Sequence, residues 1–247
     1  MSITSQEQFE KLRACGVIVA RVLRAMAGRV LPGVTTAELS EIGARIMAAH
    51  GARSSPPMVY GFPGAVCLSV NDEVVHGIPR DRVLLSGDLV KLDVTAEKDG
   101  FHTDAAISVG VGPIAGTSRD LARCAEKAFW QGISAARAGN RTRDIGRAVE
   151  REVKRRGFHV VRELGGHGIG RTIHESPSVP NYPDPTAYAP LTEGLVITIE
   201  PIIAAGTGRV KLDADGWTLR TTDGSRAAHF EHTIVITRGE PLLLTAA

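Results

Sequence analysis

Cysteine is scarce in this chain of 247 residues, which contains only Cys15, Cys67 and Cys124. The three lie far apart, and no pair has the C-x-x-C spacing. An odd number of isolated cysteines argues against a disulfide framework and against a structural zinc cluster. A composition of 43% hydrophobic and 23% charged residues is instead typical of a globular protein that buries a sizeable core.

Long apolar runs are also missing. No stretch approaches the roughly 18 apolar residues that a membrane-spanning helix needs. The first ten residues are polar and include acidic side chains, unlike a secretory signal. We therefore expect a cytoplasmic protein with no membrane partner.

Neither sign of charge is in excess, because 29 basic and 27 acidic residues give a formal net charge of +2. The longest basic block, Lys154–Arg156, is typical of the solvated end of a helix. Nucleic acid is therefore not a predicted partner.

Four helices are predicted from apolar residues at helical spacing. Ser5 with Gln8, and Thr35 with Glu38, have the spacing of capping boxes at two of the helix starts. The predicted helices cover residues 5–30, 36–50, 117–138 and 142–156.

The second pair of helices repeats the pattern of the first. When the chain is offset so that Gly33 falls on Gly139, further matches follow: Thr36 on Thr142, Leu39 on Ile145 and Gly51 on Gly157. The repeat predicts two related halves, residues 5–112 and 113–240, within one domain that spans residues 1–247. Chance, or the common pattern of helix hairpins, is an alternative source of these matches.

Apolar, β-branched runs follow each helix pair and predict strands. They cover residues 65–70, 88–95, 107–111, 195–203 and 234–236. Helix pairs grouped with hairpins, rather than alternating βαβ units, predict an α+β fold.

One predicted hairpin carries two aspartates. If its turn is centred between Lys98 and Asp99, Asp93 lies directly opposite Asp104, on the face away from the apolar side chains. Like charges directly opposite each other are destabilising unless a cation neutralises them, so the pair indicates a divalent metal. An exposed polar face with both carboxylates in water is the alternative, and a shift in register would break the pairing.

Three further side chains are candidates for the same chemistry. His167 lies in the glycine-rich segment Gly165–Gly170, predicted as a turn that backbone and ligand can approach closely. A dinucleotide-binding loop is disfavoured there, because no strand and helix flank it in the required order. Glu200 follows an apolar run and precedes Pro201, and Glu231 lies at the start of another run. Either carboxylate alone is also compatible with an ordinary polar rim.

Together these segments resemble the type I methionine aminopeptidase family from about residue 5 to residue 240. Five matches in one chain, in the family's order, are highly specific. The matching segments are Asn71–Pro79 (NDEVVHGIP), Gly87–Asp93 (GDLVKLD), Gly166–Gly170 (GHGIG) with His174, Ile197–Pro201 (ITIEP) and Phe230–Val235 (FEHTIV).

The resemblance implies the pita-bread α+β fold, whose two pseudo-symmetric halves agree with the internal repeat. It implies a metallo-exopeptidase that hydrolyses the N-terminal methionine from nascent proteins, preferably when the second residue is small. The implied metal ligands are Asp93, Asp104, His167, Glu200 and Glu231. This oxygen-rich set suits two divalent ions, drawn from cobalt, manganese, iron, zinc and magnesium. In the family, the residues matching Asp104 and Glu231 bridge both ions.

The same resemblance implies how the reaction proceeds and which residues take part. A hydroxide held by the two ions attacks the scissile carbonyl, and Glu200 takes up a proton as well as binding metal. His76 and His174 match the two non-ligand histidines that contact the scissile peptide and stabilise the tetrahedral intermediate. The implied catalytic residues are therefore His76, His174 and Glu200.

A methionine-sized pocket is implied at Tyr60, Phe62, Cys67 and Trp217, for which plain core or rim packing is the alternative. His76 and His174 also belong to the implied substrate-binding set. The five other histidines are predicted to be ordinary polar residues: His50, His102, His159, His229 and His232.

Some positions depart from the family pattern. Tyr60 stands where many bacterial relatives have histidine, and Ile173 where an aromatic residue is common. Thr103 and Ala105 flank Asp104 where glycine and threonine are usual. These departures affect the shape of the pocket and remove no ligand. Ribosome docking through an N-terminal zinc-binding extension is not predicted, although a transient ribosome contact is possible, and a monomer is the family expectation.

Two other functions compete with this interpretation. A proline-directed peptidase on the same fold is disfavoured by chain length and by the motif around His76. A catalytically inactive binding module of the same fold would be marked by missing ligands, and all five are present here.

Overall fold

The computed structural model describes residues 1–246. Five helices are α1 Gln6–Ala27, α2 Thr36–Ala49, α3 Ser55–Tyr60, α4 Gly116–Ala135 and α5 Thr142–Arg155. The first strands are β1 Arg53–Ser54, β2 Cys67–Val70, β3 Glu73–Val75, β4 Leu89–Lys98, β5 Phe101–Gly110, β6 His159–Val160, β7 Gly165–Gly168 and β8 Glu175–Pro180. The later strands are β9 Val196–Ile199, β10 Ile202–Ala204, β11 Val210–Leu212, β12 Leu219–Thr221, β13 Ala227–His229, β14 Glu231–Val235 and β15 Leu242–Leu243.

The four predicted helices are confirmed, with α1 and α4 ending three residues before their predicted ends. The capping box of α2 is complete, because Thr35 and Glu38 each accept a hydrogen bond from the other's backbone N–H. The predicted box at α1 is wrong in one half. The Ser5 hydroxyl accepts from the Gln8 N–H, but the Gln8 side chain accepts from the backbone of Thr4 instead. Within residues 1–246, none of the helices has both the length and the apolar character to cross a membrane.

A nine-stranded sheet forms the centre of the molecule. Its strands run in the order β1-β4-β5-β14-β9-β7-β8, with β2 also paired to β4 and β15 to β14. Two smaller sheets have the orders β13-β10-β6 and β11-β12-β3. The pairings between named strands are antiparallel, as expected for an α+β protein.

The helices cover one face of the large sheet. Val90, Leu92 and Val94 of β4, with Ala105 of β5, are fully buried in a core that also contains apolar residues of α1 and α2. Residues of α4 and α5 form a second core against β9 and β14. Burying each of the valine and leucine side chains stabilises the fold by about 1.5–3 kcal/mol, so the covered face is fixed. The polar side chains of the same strands must therefore point to the opposite face.

The predicted register of the β4–β5 hairpin is wrong by two residues. Asp99 and Gly100 form the turn, with φ of +51° and +81°. A two-residue turn of type I′ requires positive φ at both central residues. Asp93 consequently lies opposite Ala106, and Asp104 lies opposite Thr95. Because a shift of two keeps every side chain on its predicted face, the apolar face is confirmed and both aspartates still share the other face.

Other local predictions also need correction. The segment around His167 is not a turn but strand β7, where glycine serves close packing. A Cβ on Gly166 would overlap the carbonyl oxygen of Thr198, and one on Gly168 would overlap that of Ser176. The predicted strand over residues 195–203 is two strands, separated at Glu200 and Pro201.

Candidate active site

The five implied metal ligands line one cavity of about 460 Å³. They come from β4, β5, β14, β7 and the residue that follows β9, and these five strands are consecutive neighbours in the large sheet. Neighbouring strands are about 5 Å apart, so side chains on one face at the same level converge. The ligands in question are Asp93, Asp104, His167, Glu200 and Glu231.

Polar groups of the sheet hold these side chains in place. The Thr95 hydroxyl donates to Asp104 over 2.7 Å, and the Thr198 hydroxyl donates to Glu200 over 3.1 Å. Nε2 of His167 lies 3.5 Å from Oε1 of Glu200. Ligand atoms of Asp104, His167 and Glu231 all lie within 4.8 Å of one another, a spacing from which one cation can be reached by all three.

Burial and mutual repulsion disfavour full ionisation of the four carboxylates in the absence of a cation. Burial raises the pKa of Glu200 to about 8 and the pKa of Asp104 to about 6. Burial, followed by the charges of Asp104 and Glu200, raises the pKa values of Asp93 and Glu231 well above the usual carboxyl range. Like charges in a buried site disfavour each other's ionised form.

The donor set fits divalent cations. Oδ1 of Asp104 and Oε1 of Glu231 are buried and have no hydrogen-bond partner among the described residues. Buried oxygens without a hydrogen-bond partner are unfavourable, and a bound cation would interact with both. Burial and the neighbouring His174 lower the pKa of His167 to about 4, so its imidazole is neutral and able to act as a ligand near neutral pH.

His76 and His174 also line this cavity. His76 follows β3 with a φ of +58°, a left-handed conformation that is costly for a histidine and is typical of functional sites. Oη of Tyr60 lies 2.5 Å from Nδ1 of His174, whose ring centroid is 4.2 Å from that of His167. Burial lowers the pKa values of both His76 and His174, so both imidazoles are neutral near pH 7.

The four implied pocket residues also line the cavity. Phe62 and Trp217 meet edge to face with ring centroids 5.3 Å apart, and Cys67 lies opposite Asp93 in the β2–β4 pair. Tyr60 ends helix α3, an element that no sequence pattern predicted. Gly61, with a φ of +72°, then turns the chain so that Phe62 is buried.

One histidine predicted to be ordinary lies inside the site. His229 lines the cavity, is 2% exposed, and has its Nε2 3.4 Å from Oε2 of Glu231. The alternation of an extended chain contained the signal, because residues two apart share a face. His102 and His232, by contrast, each make a hydrogen bond away from the cavity, to Ser55 and Thr245 respectively.

Comparison with known proteins places this chain among related enzymes. Residues 10–238 match the model of metallopeptidase family M24. The chain is 44% identical to methionine aminopeptidase 2 of Bacillus subtilis, covering 99% of both chains. Its structure is similar to that of a methionine aminopeptidase of Thermotoga maritima, with a TM-score of 0.97, 36% identity and 100% of both chains covered. A prolidase from Pyrococcus furiosus shares the fold, with a TM-score of 0.79 and 21% identity over 99% of this chain and 65% of that one.

The fold and the carboxylate-rich cavity define a metallopeptidase, a hydrolase that acts on peptides with a divalent cation. The chain belongs to metallopeptidase family M24 and, within it, to the methionine aminopeptidases. The resemblance inferred from the five sequence motifs and the expected pita-bread fold are both confirmed.

Proposed function

We propose that this chain removes the N-terminal methionine from peptides and nascent proteins, preferably when the second residue is small. The observation that carries the proposal is the convergence of the five implied ligands beside an apolar pocket in one cavity. The names of the full-length relatives support the same substrate.

The proposed cofactor is a pair of divalent ions held by Asp93, Asp104, His167, Glu200 and Glu231. Four carboxylates and one imidazole form a hard, oxygen-rich set, which favours manganese, iron, cobalt or magnesium, with zinc also possible as a catalytic ion. Thr95 and Thr198 support the proposal, because each donates a hydrogen bond to one of these carboxylates and so fixes its orientation.

When bound, such ions would lower the pKa of a water in the cavity and polarise the scissile carbonyl. Glu200 is the proposed proton acceptor, because its carboxylate lines the cavity together with the other implied ligands. The proton can then pass to the leaving amine. Oε1 of Glu200 keeps its orientation through the Thr198 hydroxyl.

His76 and His174 are the proposed donors to the scissile peptide. A neutral imidazole has one N–H, and Oη of Tyr60 lies 2.5 Å from Nδ1 of His174. We assign the hydroxyl as the donor in this pair, which leaves the hydrogen of His174 on Nε2. A donor positioned in this way is typically worth about 2.7–4 kcal/mol of barrier.

The proposed methionine pocket consists of Tyr60, Phe62, Cys67 and Trp217. Ile173 adds an aliphatic wall where an aromatic residue is common in the family. A methionine thioether gains about 0.3–1.5 kcal/mol from contact with an aromatic edge, and the Phe62–Trp217 pair offers such edges.

We further propose that the protein acts in the cytoplasm as a monomer and contacts the ribosome only transiently. The substrate supports this setting, because N-termini of nascent chains become available as they leave the ribosome. Size-exclusion chromatography with light scattering, and co-sedimentation with ribosomes, would test the last two points.

The function is tested by hydrolysis of Met-Ala-Ser with protein stripped of metal and then supplied with manganese, cobalt, iron or zinc. We expect metal-dependent release of methionine, no cleavage of Ala-Pro-Ser, and no release by the matched variant Asp104→Asn. Cleavage of Ala-Pro-Ser would indicate a proline-directed peptidase. Folded protein that releases methionine with none of the metals would contradict the proposal and favour a binding module.

A further inference from the structure

His229 is anchored at the edge of the metal centre by its own backbone. Its N–H donates to the Ser108 hydroxyl, and the same hydroxyl donates to its carbonyl, both over 2.9 Å. The residue ends β13, opposite Ile202 of β10, and its side chain is 2% exposed. The imidazole therefore has little freedom to leave the cavity wall.

The ring is buried beside two carboxylates. Nε2 lies 3.4 Å from Oε2 of Glu231 and 3.7 Å from Oε2 of Glu200. Neither ring nitrogen has a hydrogen-bond partner among residues 1–246. Buried polar nitrogens without partners are rare in proteins, so this imidazole calls for a role beyond packing.

The closeness of Nε2 to the two carboxylates limits what that role is. Metal binding requires both carboxylates to be ionised, and an unprotonated Nε2 would then place its lone pair beside the negative oxygens of Glu200 and Glu231, which is repulsive. An Nε2–H turned towards the same oxygens is attractive, and a movement of a few tenths of an ångström brings the 3.4 Å separation into hydrogen-bond range. Ligating carboxylates in metal sites are typically held by hydrogen bonds of this kind.

We propose that His229 is a positioning residue of the metal centre, whose Nε2–H holds the Glu231 carboxylate, with Glu200 beside it, in the orientation that binds metal. The proposal rests on the function proposed above, because it assumes that Glu200 and Glu231 are ligands. Ligand atoms of Glu200, His229 and Glu231 lie within 4.8 Å of one another, so direct ligation by His229 is the alternative that the test below separates from the positioning role. In the positioning role His229 acts through the two carboxylates.

The test is calorimetric titration of the metal-free protein with Mn²⁺. His229→Phe keeps a ring of similar shape without a donor, and His229→Gln keeps an N–H near the position of Nε2. We expect His229→Phe to weaken Mn²⁺ binding by about 10- to 100-fold, the usual effect of removing such a partner, and His229→Gln to stay within about threefold. His232→Phe is the matched control, because His232 is a partly buried imidazole that bonds Thr245, and it should leave Mn²⁺ affinity unchanged.

Several results would overturn the proposal. If His229→Phe binds Mn²⁺ as the unchanged chain does, the imidazole serves packing alone. His229 is a direct ligand if two results coincide. His229→Gln loses as much Mn²⁺ affinity as His229→Phe, and the Co²⁺-loaded variants lack one hyperfine-shifted imidazole N–H signal that proton NMR shows in the Co²⁺-loaded wild-type protein. Circular dichroism of each metal-free variant separates a folding defect from a binding defect.

Failure of the proposed function has a different signature. If the wild-type protein binds Mn²⁺ but does not release methionine from Met-Ala-Ser, the proposed function is contradicted. The Mn²⁺ affinities of the His229 variants still test the positioning role in that case. If the wild-type protein binds no Mn²⁺, the proposed metal centre is contradicted, and so is the proposed role of His229.

Discussion

Tyr60→Phe removes one hydroxyl from the cavity wall and so isolates one hydrogen bond. Oη of Tyr60 lies 2.5 Å from Nδ1 of His174, and the ring centroids are 5.6 Å apart. Phenylalanine keeps the ring and its packing but leaves Nδ1 without its donor. The imidazole then no longer prefers the tautomer with hydrogen on Nε2, the nitrogen proposed to serve the scissile peptide.

The size of the effect follows from the exposure of the bond. A neutral hydrogen bond contributes about 0.5–1.5 kcal/mol net. Tyr60 is 48% exposed, so water replaces part of the lost bond and the lower part of that range applies. At about 1.36 kcal/mol per tenfold change in rate, kcat should fall by about 2- to 5-fold.

The assay is steady-state hydrolysis of Met-Ala-Ser at saturating Mn²⁺. Tyr60→His, which offers a ring nitrogen in place of the hydroxyl, should recover most of the lost rate. An unchanged kcat in Tyr60→Phe would refute the role of the hydrogen bond in orienting His174. A loss above 100-fold would refute the indirect role and indicate that Tyr60 touches the reacting atoms.

Three further predictions follow from the geometry. Gly166→Ala should lower the free energy of unfolding in urea by about 1–3 kcal/mol, because the added Cβ overlaps the Thr198 carbonyl. Gly116→Ala is the control, because a Cβ there meets nothing within 4 Å. Equal stability of the two variants would contradict the prediction. Trp217→Ala should raise the KM for Met-Ala-Ser by about 2- to 12-fold through the loss of an aromatic edge, and an unchanged KM would place methionine elsewhere. The rise in Tm on adding Mn²⁺ should grow between pH 6 and pH 8. In the metal-free fold the pKa of Asp104 is raised to about 6 and that of Glu200 to about 8, so protonation of these carboxyls favours the folded state at low pH. This stabilisation is lost as the pH rises through these values. Bound metal neutralises the same carboxylates and so restores it. A Tm gain in calorimetry that is constant over this range would contradict the prediction.

The sequence predicts the faces of strands better than their partners. Val90, Leu92 and Val94 mark the apolar face by alternation alone, and this survives a register error of two residues. The true partner of Asp93 depends on which two residues adopt left-handed conformations in the turn. The Asp99-Gly100 dipeptide favours a two-residue turn at these two positions, but the prediction centred the turn one residue earlier, between Lys98 and Asp99.

Contacts between distant segments explain the other corrections. The glycines around His167 are typical of a turn by local pattern, but Gly166 packs against Thr198, which is far along the chain. Helix α3 has two prolines in its first turn and is too short to show helical periodicity. His229 differs from these cases, because a local pattern did indicate its position. It lies two residues before Glu231, and alternation places two such residues on the same face of an extended chain.

The duplication of the chain stays a prediction. Helices α1 and α2 contain 22 and 14 residues, and α4 and α5 contain 20 and 14. We propose that residues 5–112 and 113–240 are related halves of one catalytic domain. Superposition of the two halves, with Gly33 on Gly139, is the comparison that tests it.

The central claim is that five side chains on one face of the sheet hold two divalent ions. Anomalous diffraction from crystals grown with Mn²⁺ tests this most directly. The account predicts two anomalous peaks in the cavity, each contacted only by members of the implied ligand set or by water. A lone peak away from Asp104 and Glu231, or an empty cavity in crystals of protein that binds Mn²⁺ in solution, would contradict it.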